Sequence, residues 1–358
     1  MPSVLGATMG SMPGSAPDPI TALAQARAEA RSRHDWSEAD RLRGEIEAAG
    51  WKVVDDGLSF ALAPARPPDV VIDGRTRYGH ASSVPSRLEE PAAGVATVVL
   101  LAGDDSDEVA RCVTATHAHA PGGAAIVVVG DAPSGPVEAA IEAAEAKAGA
   151  DPGKPVEIVL TSERLGHAAA ADAGIRRAAA AVIVLLGPGV EPVGDVVSPL
   201  VRALDDPTVA IAGASGVHIA DLRRPEDAGS GEAGAVGSSC LAFRRADYVA
   251  RGPLDGRFRT DEYLALWWSL VLRDEGVERP PRRAVVVEGL PLIARDDHGE
   301  GPDRGSQPGD ASMRDRAARR DYYRVLERFG GRPDLLGTAR GGVDAGGGDT
   351  AREDRAGG

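Results

Sequence analysis

Between Val95 and Leu186 the chain alternates short, unbroken apolar runs with longer stretches of mixed pattern. The runs are Ala96-Thr97-Val98-Val99-Leu100-Leu101, Ala125-Ile126-Val127-Val128-Val129, Val156-Glu157-Ile158-Val159-Leu160 and Ala181-Val182-Ile183-Val184-Leu185-Leu186. Each is too short for a helix and lacks the polar alternation of a strand with one wet face, so each reads as a strand buried on both faces. Between them, Val109, Cys112, Val113 and Thr116 recur at helical spacing, an Ala/Glu stretch runs from Val137 to Ala150, and an Ala-rich helix follows Gly166 to about Ala180. Strand and helix in this alternation predict an α/β fold, a doubly wound and mostly parallel sheet. Ligands on such a sheet bind beyond the carboxyl ends of the strands. Those ends are Ala102–Asp105, Gly130–Ser134, Thr161–Gly166 and Gly187–Glu191.

The flanking patterns divide the rest of the chain. Val197, Leu200, Val201 and Leu204 mark another helix, Val209–Ala212 and Ser239–Phe243 two more strands, and 214–237 a Gly-rich loop. Leu264, Trp267, Trp268, Val271 and Leu272 form the apolar stripe of a helix that Gly276 stops. Residues 20–63 read as a small helical hairpin followed by a β-hairpin around Asp56-Gly57. Its second helix takes Ser37 as cap with Asp40 three residues on, and Ala39, Leu42, Ile46 and Ala49 on one face. Residues 64–94, with five prolines, read as a linker or extended arm. The main domain spans 95–298, a loop 299–313, a basic amphipathic helix 314–330, and disordered ends 1–19 and 337–358.

Charge narrows the function classes. With 40 basic against 54 acidic residues and a net charge of −14, the chain is not built to coat nucleic acid, whose phosphates demand clustered cations. The basic helix Arg314–Arg328 is the exception, a candidate contact for a membrane-bound acceptor or a partner. Cys112 and Cys240 form no metal-ligand pair by spacing and read as free thiols of a reducing compartment. The start has no signal-peptide pattern, and the longest apolar stretch, Ala178 to Leu186, is far short of the roughly 18 residues of a membrane span. A soluble cytoplasmic protein, peripheral to a membrane at most, is the expectation. Aromatics are scarce, four Phe, four Trp and five Tyr, so their placement carries information.

No Gly-x-Gly-x-x-Gly follows any of the four strands, and neither a P-loop nor a Gly-x-Ser-x-Gly elbow is present. Nicotinamide, P-loop and serine-hydrolase chemistry are thereby disfavoured. The order of elements, Gly166-His167-Ala168-Ala169-Ala170-Ala171-Asp172-Ala173-Gly174-Ile175, the turn Leu185-Leu186-Gly187-Pro188-Gly189-Val190-Glu191-Pro192, and Phe243-Arg244-Arg245 followed by Gly252-Pro253-Leu254-Asp255-Gly256-Arg257-Phe258 together resemble the family 2 glycosyltransferases over residues 95–295. The resemblance implies the GT-A, nucleotide-diphosphosugar transferase fold. It also implies inverting transfer from a nucleotide-diphosphosugar to a sugar, lipid or protein acceptor.

That chemistry places charge on a leaving nucleotide, which the family offsets with Mg²⁺ or Mn²⁺ on an Asp-x-Asp turn, while a carboxylate takes the acceptor's proton. The resemblance puts Asp131, Gly166, Asp172 and His298 on the nucleotide side and Glu262 with Asp261 as candidate bases. The chain departs from the family at both places. Gly187-Pro188-Gly189 stands where the metal turn belongs, leaving Glu191 as the nearest candidate ligand, and Glu262-Tyr263-Leu264-Ala265 stands where the acidic cluster belongs. Asp172 replaces an Asn and adds negative charge near the expected diphosphate. Plainer readings stay open: Asp131 as a turn residue, Gly166 as a simple turn, Glu262 as a helix N-terminal acid, His298 as a solvated loop residue, His117-x-His119 as helix surface, and Trp267 and Trp268 as core.

Residues 26–55, from Ala26-Arg27-Ala28-Glu29 through His34-Asp35-Trp36-Ser37-Glu38-Ala39-Asp40 to Gly50-Trp51-Lys52-Val53, are similar to the carboxyl-terminal helical tail of cysteinyl-tRNA synthetases. The alternatives to an enzyme are therefore a catalytically inactive binding or scaffold protein of the same fold, favoured by the Gly-Pro-Gly turn, and an RNA-binding adaptor acting through 20–62.

Overall fold

The computed structural model describes residues 16–56, 59–149, 153–220, 222, 225–294 and 308–336. The expectations for residues 1–15, Gly57, His298, the rest of the 299–307 stretch and the tail from 337 lie outside the described residues. In chain order the elements begin with α1 (Asp18–Ser32), α2 (Trp36–Ala48), β1 (Trp51–Asp56), β2 (Ser59–Pro64), β3 (Val70–Ile72) and β4 (Arg75–Tyr78). Then come β5 (Thr97–Leu101), α3 (Ser106–His119), β6 (Ala125–Gly130), α4 (Gly135–Ala148), β7 (Val156–Thr161), α5 (His167–Ile175) and β8 (Val182–Leu186). They are followed by β9 (Val190–Pro192), α6 (Val197–Ala203), β10 (Val209–Gly213), β11 (Gly216–His218), β12 (Glu226–Asp227), β13 (Gly231–Ala233), β14 (Ala235–Val236) and β15 (Cys240–Arg244). The last are α7 (Arg245–Arg251), α8 (Asp261–Arg273), β16 (Arg283–Val286), β17 (Leu292–Ala294), α9 (Pro308–Phe329) and α10 (Pro333–Leu336).

The four apolar runs become β5 to β8, parallel neighbours in the order β8-β5-β6-β7 at the centre of a ten-stranded sheet, β13-β16-β10-β15-β8-β5-β6-β7-β4-β3. β15 enters antiparallel between β8 and β10. Successive side chains of a strand point to opposite faces, and both faces here are covered. Val98 and Leu100 bury with Val109, Val113, Ile141 and Leu200 of α3, α4 and α6. Val99 and Leu101 bury with Ala171 and Ile175 of α5 and with Leu264 and Trp268 of α8. The fold is the doubly wound, mostly parallel α/β class the apolar runs predict, with a small helical hairpin before it.

The composition of α5 follows from how closely it lies on the sheet. A Cβ on Gly174 would fall 2.4 Å from Val99 Cγ1 and 2.6 Å from Val129 Cγ2, so glycine is what lets the helix approach the sheet there. The helix ends at Ile175, short of Ala180. Beyond it, Arg176 Nε donates to the Val84 carbonyl at 2.7 Å and Arg177 Nη1 to that of Pro85.

Those carbonyls belong to the stretch expected to be a linker. Instead, β3 and β4 form an antiparallel hairpin whose second strand pairs in parallel with β7. Arg77 on β4 meets Glu138 of α4 at 2.7 Å, Arg75 meets Glu142 and Glu145, and Ala81 and Val84 are buried. β3 is only Val70-Val71-Ile72, two of them exposed, and β4 is Arg75-Thr76-Arg77-Tyr78 tied down by its arginines, so neither is long enough to give a periodic signal.

In the amino-terminal unit, Ile20, Ala24 and Ile46 bury against Trp51, Val53, Phe60 and Leu62. Its second helix is capped by Asp35, whose carboxylate accepts from Glu38 N, and not by Ser37, which lies within the first turn. Both cysteines are buried and neither is in a disulfide, and burial pushes the Cys240 thiol up to about 12. Among the described residues no helix is long and apolar enough to cross a membrane.

Candidate functional site

A cavity of about 170 Å³ opens beyond the carboxyl ends of β5, β6 and β7, the place a doubly wound sheet reserves for ligands. Its polar lining comes from four segments: Asp104 after β5, Asp131 after β6, Arg164, Gly166 and His167 at the entry of α5, and Asp261 at the start of α8. A narrow cleft of about 20 Å³ adjoins it, walled by Leu185, Leu241, Leu254, Leu264 and Trp268. His167 and Asp261 line both spaces.

Asp131 builds the floor by organising backbone. Its Oδ1 accepts from Leu165 N at 2.8 Å and from the Thr161 hydroxyl at 2.8 Å, and its Oδ2 accepts from Gly166 N at 2.9 Å. A carboxylate receiving several hydrogen bonds holds a loop firmly. Gly166 then turns the chain into α5 with φ of 87°. A Cβ at this position would meet nothing within 4 Å, so the backbone conformation rather than close approach requires the glycine.

The turn delivers His167 to Asp261. His167 Nδ1 and Asp261 Oδ2 are 3.1 Å apart, both side chains partly exposed to the cavity. Asp261 is itself positioned from the far end of the chain. Asp321 on α9 is fully buried and its Oδ2 accepts from Arg259 N, Thr260 N and the Thr260 hydroxyl at 2.8 to 3.0 Å, while Val325 and Phe329 anchor α9 in the core. One face of the expected surface helix is thus structural. Across the mouth of the cavity, Arg164 Nη2 donates to Asp104 Oδ1 at 2.6 Å and Nη1 to Oδ2 at 3.4 Å. At 62% and 78% side-chain exposure, such a pair contributes at most about 1 kcal/mol.

The other expected residues fall elsewhere. Asp172 does not line the cavity. It is buried between α5 and the segment after α7, its Oδ1 accepting the Tyr248 hydroxyl at 2.8 Å and Leu254 N at 3.1 Å. Burial pushes its carboxyl up to about 7 despite those two bonds and the nearby Arg176. Glu262 is exposed and lines neither space. Glu191 sits on β9, opposite Ile293 of β17, with Arg111 Nε 3.9 Å from its carboxylate. Trp267 and Trp268 are core, and only Trp268 borders the cleft; its buried indole N–H has no partner among the described residues.

A hard divalent cation needs several free oxygens, and this donor set does not fit one. Among the described residues no group of three His, Cys, Asp or Glu side chains converges on a metal position. Of the three carboxylates in the cavity, Asp104 is paired with Arg164, Asp131 is filled by three donors, and Asp261 is paired with His167.

Arg164 and His167 escaped sequence reasoning. A loop arginine has no periodic signature, and His167 was visible only as the residue after a helix-opening glycine.

No family model matches the sequence. A cysteine–tRNA ligase of Opitutus terrae is 44% identical over 50 residues, spanning 14% of this chain and 11% of the ligase. Among solved structures, a mannosyltransferase of Pyrobaculum calidifontis in complex with GDP-Man and Mn²⁺ is similar at 16% identity and a TM-score of 0.49, over 88% of this chain and 78% of that one. GalNAc-T7 with UDP, GalNAc and Mn²⁺ is similar at 12% identity and a TM-score of 0.46, over 65% and 48%. Staphylococcal TarS (S. aureus) in complex with UDP is similar at 10% identity and a TM-score of 0.44, over 64% and 65%.

Proposed function

We propose that this protein is a glycosyltransferase of family 2 type that transfers a sugar from a nucleotide-diphosphosugar with inversion. The observation that supports it is the meeting of Arg164, His167 and Asp261 in a cavity beyond the parallel strands. The diphosphate lies on the Arg164 and His167 side, and the acceptor enters past the apolar cleft. Asp261 takes the proton of the acceptor hydroxyl as its oxygen attacks the anomeric carbon. The bond from that carbon to the diphosphate oxygen breaks, and its electron pair leaves with the nucleotide. His167, bonded to Asp261, orients the carboxylate. Asp261 is taken as the base in preference to Glu262, because Asp261 lines both spaces and Glu262 lines neither.

The test is calorimetric titration of the full chain with UDP- and GDP-sugars, followed by detection of released nucleotide with mixed acceptors. Asp261→Asn is expected to lower turnover by about 10²- to 10⁴-fold, the range of a lost general base, with nucleotide affinity changed less than threefold. Binding without turnover under every acceptor mixture supports the inactive binding protein instead, a reading favoured by the Gly187-Pro188-Gly189 turn. The match of the amino-terminal unit to a tRNA ligase supports a separate RNA contact. A gel shift with total tRNA, lost on deleting residues 1–62, is what that reading requires.

A further inference from the structure

We infer that the negative charge of the diphosphate is balanced by Arg164 in place of a divalent cation, with His167 as a hydrogen-bond donor beside it and with Asp104 holding Arg164 until the ligand displaces it. This rests on the nucleotide-diphosphosugar reading and adds to it what neutralises the leaving group.

Three observations carry the inference. The turn after β8 offers no carboxylate: Pro188 lines the cavity where a metal-binding acid belongs, with Gly187 and Gly189 on either side. The acids that remain in the cavity are already engaged, Asp131 with three hydrogen bonds that set the loop into α5, and Asp261 with His167. A cation is nevertheless present, because Arg164 leaves the same loop that Asp131 fixes and spans the cavity mouth to Asp104.

The chemistry of that span favours exchange. The partners come from loops after different strands and are 60 residues apart in sequence, so the pair closes the mouth without being part of either loop's local structure. Both side chains are mostly exposed, so water and a phosphate compete for the guanidinium on easy terms. A diphosphate offers two negative groups and the planar, two-pronged acceptor geometry that arginine matches best. Asp104 then turns to solvent, and the guanidinium follows the ligand inward. His167, one residue past the Gly166 turn and facing the cavity, supplies the second donor on the same side. A guanidinium keeps its charge at any working pH, so the site needs no metal to be loaded before the nucleotide arrives.

The experiment is calorimetric titration of the full chain with UDP and with GDP, in EDTA and then in excess Mn²⁺, for the unchanged protein, Arg164→Gln and Asp104→Asn. The expected result is binding in EDTA that Mn²⁺ changes less than threefold, a loss of tenfold or more in Arg164→Gln, and a two- to fivefold gain in Asp104→Asn. Thermal unfolding of each variant checks folding, and the gain in Asp104→Asn cannot come from a misfolded chain. Binding that appears only with Mn²⁺, or an Arg164→Gln variant that binds UDP or GDP as tightly as the unchanged protein in EDTA, overturns the inference while leaving the glycosyltransferase reading intact. No binding of either nucleotide under either condition overturns both.

Discussion

The two walls of the cavity are built by opposite means. One wall comes from residues 95–235, which contain no aromatic side chain, and is held by carboxylates that accept backbone N–H groups. Asp105 caps α3 through Glu108 N at 2.7 Å, and Asp131 fixes the loop into α5. The other wall contains six of the thirteen aromatics within residues 243–268 and is held by ring contacts. Phe243 meets Trp268 edge-on at 5.5 Å, and Phe258 meets Trp267 at 5.1 Å. The hydrogen-bonded wall keeps polar groups in place at the surface, where a charged ligand can meet them. The packed wall is dry behind the one acid it presents, Asp261, whose side chain is partly exposed to the cavity. Residues 95–235 thus offer no Phe, Tyr or Trp to the cavity, and His167 is the one planar ring they place in its lining.

Breaking the packed wall has the largest expected effect. Trp268 is 2% exposed and touches Phe243 and Tyr248. Trp268→Ala removes both contacts and leaves a cavity beside the cleft, at a cost of about 3–5 kcal/mol. Urea unfolding followed by far-UV circular dichroism measures it. A loss below about 1 kcal/mol would mean that the aromatic cluster is not what holds α8 to the sheet.

The next effect belongs to the residue that joins the walls. Asp172 on α5 ties Tyr248 and Leu254 to the hydrogen-bonded side. Its folded value of about 7 stands above the 3.8 of an unburied carboxyl. Between those two values the folded state therefore binds more protons than the unfolded one. The stability due to this group is complete below pH 3.8, falls as pH rises through the window and is gone above about 7, by an amount on the order of 4 kcal/mol. In Asp172→Asn the amide oxygen keeps both hydrogen bonds, since both end on Oδ1, and the ionisation is absent. The variant is expected to match the unchanged protein at pH 4 and to exceed it in stability at pH 8. Parallel pH profiles for the two proteins would place the charge elsewhere.

The same contrast between the walls decides what the chain's pattern reveals. Buried parallel strands announce themselves, and Val98 to Leu101 is legible because neither face of β5 meets water. The hairpin of β3 and β4 is silent, because β3 is three residues long and mostly exposed and Arg75 and Arg77 hold β4 through ion pairs. At the site, Asp131, Gly166 and Asp261 were legible through their positions at strand and helix ends. The pairing of His167 with Asp261 spans 94 residues and that of Arg164 with Asp104 spans 60, and only the crossing of β5, β7 and α8 brings them together. That Asp172 lies outside the cavity lining was hidden for a related reason. A motif gives its distance from Gly166 along the helix, but not which side of α5 faces Tyr248.

Loosening the hydrogen-bonded wall has a smaller effect than opening the packed one. Asp131→Asn keeps a single acceptor oxygen and sets an amide against one of the backbone N–H groups it served, at a cost of about 2 kcal/mol. Hydrogen exchange at Leu165 and Gly166 is expected to rise while the amides of α8 stay protected. Equal loss of protection in both segments would show that the walls are not independent.

The smallest effect sharpens the comparison inside one turn of helix. Asp261 and Glu262 are neighbours in the first turn of α8, but residues one apart on a helix point about 100° from each other. Only Asp261 reaches the cavity. Glu262 is exposed, and its contribution is its interaction with the positive end of the helix, at most about 0.5 kcal/mol for an exposed acid. Glu262→Gln is therefore expected to shift the unfolding midpoint barely at all and to leave nucleotide affinity and turnover within twofold. Turnover of the two variants under identical conditions reads the difference directly. Were Glu262→Gln to abolish transfer while Asp261→Asn retained it, the proton would have to leave from the solvent side of α8, and the packed wall would have no part in the chemistry.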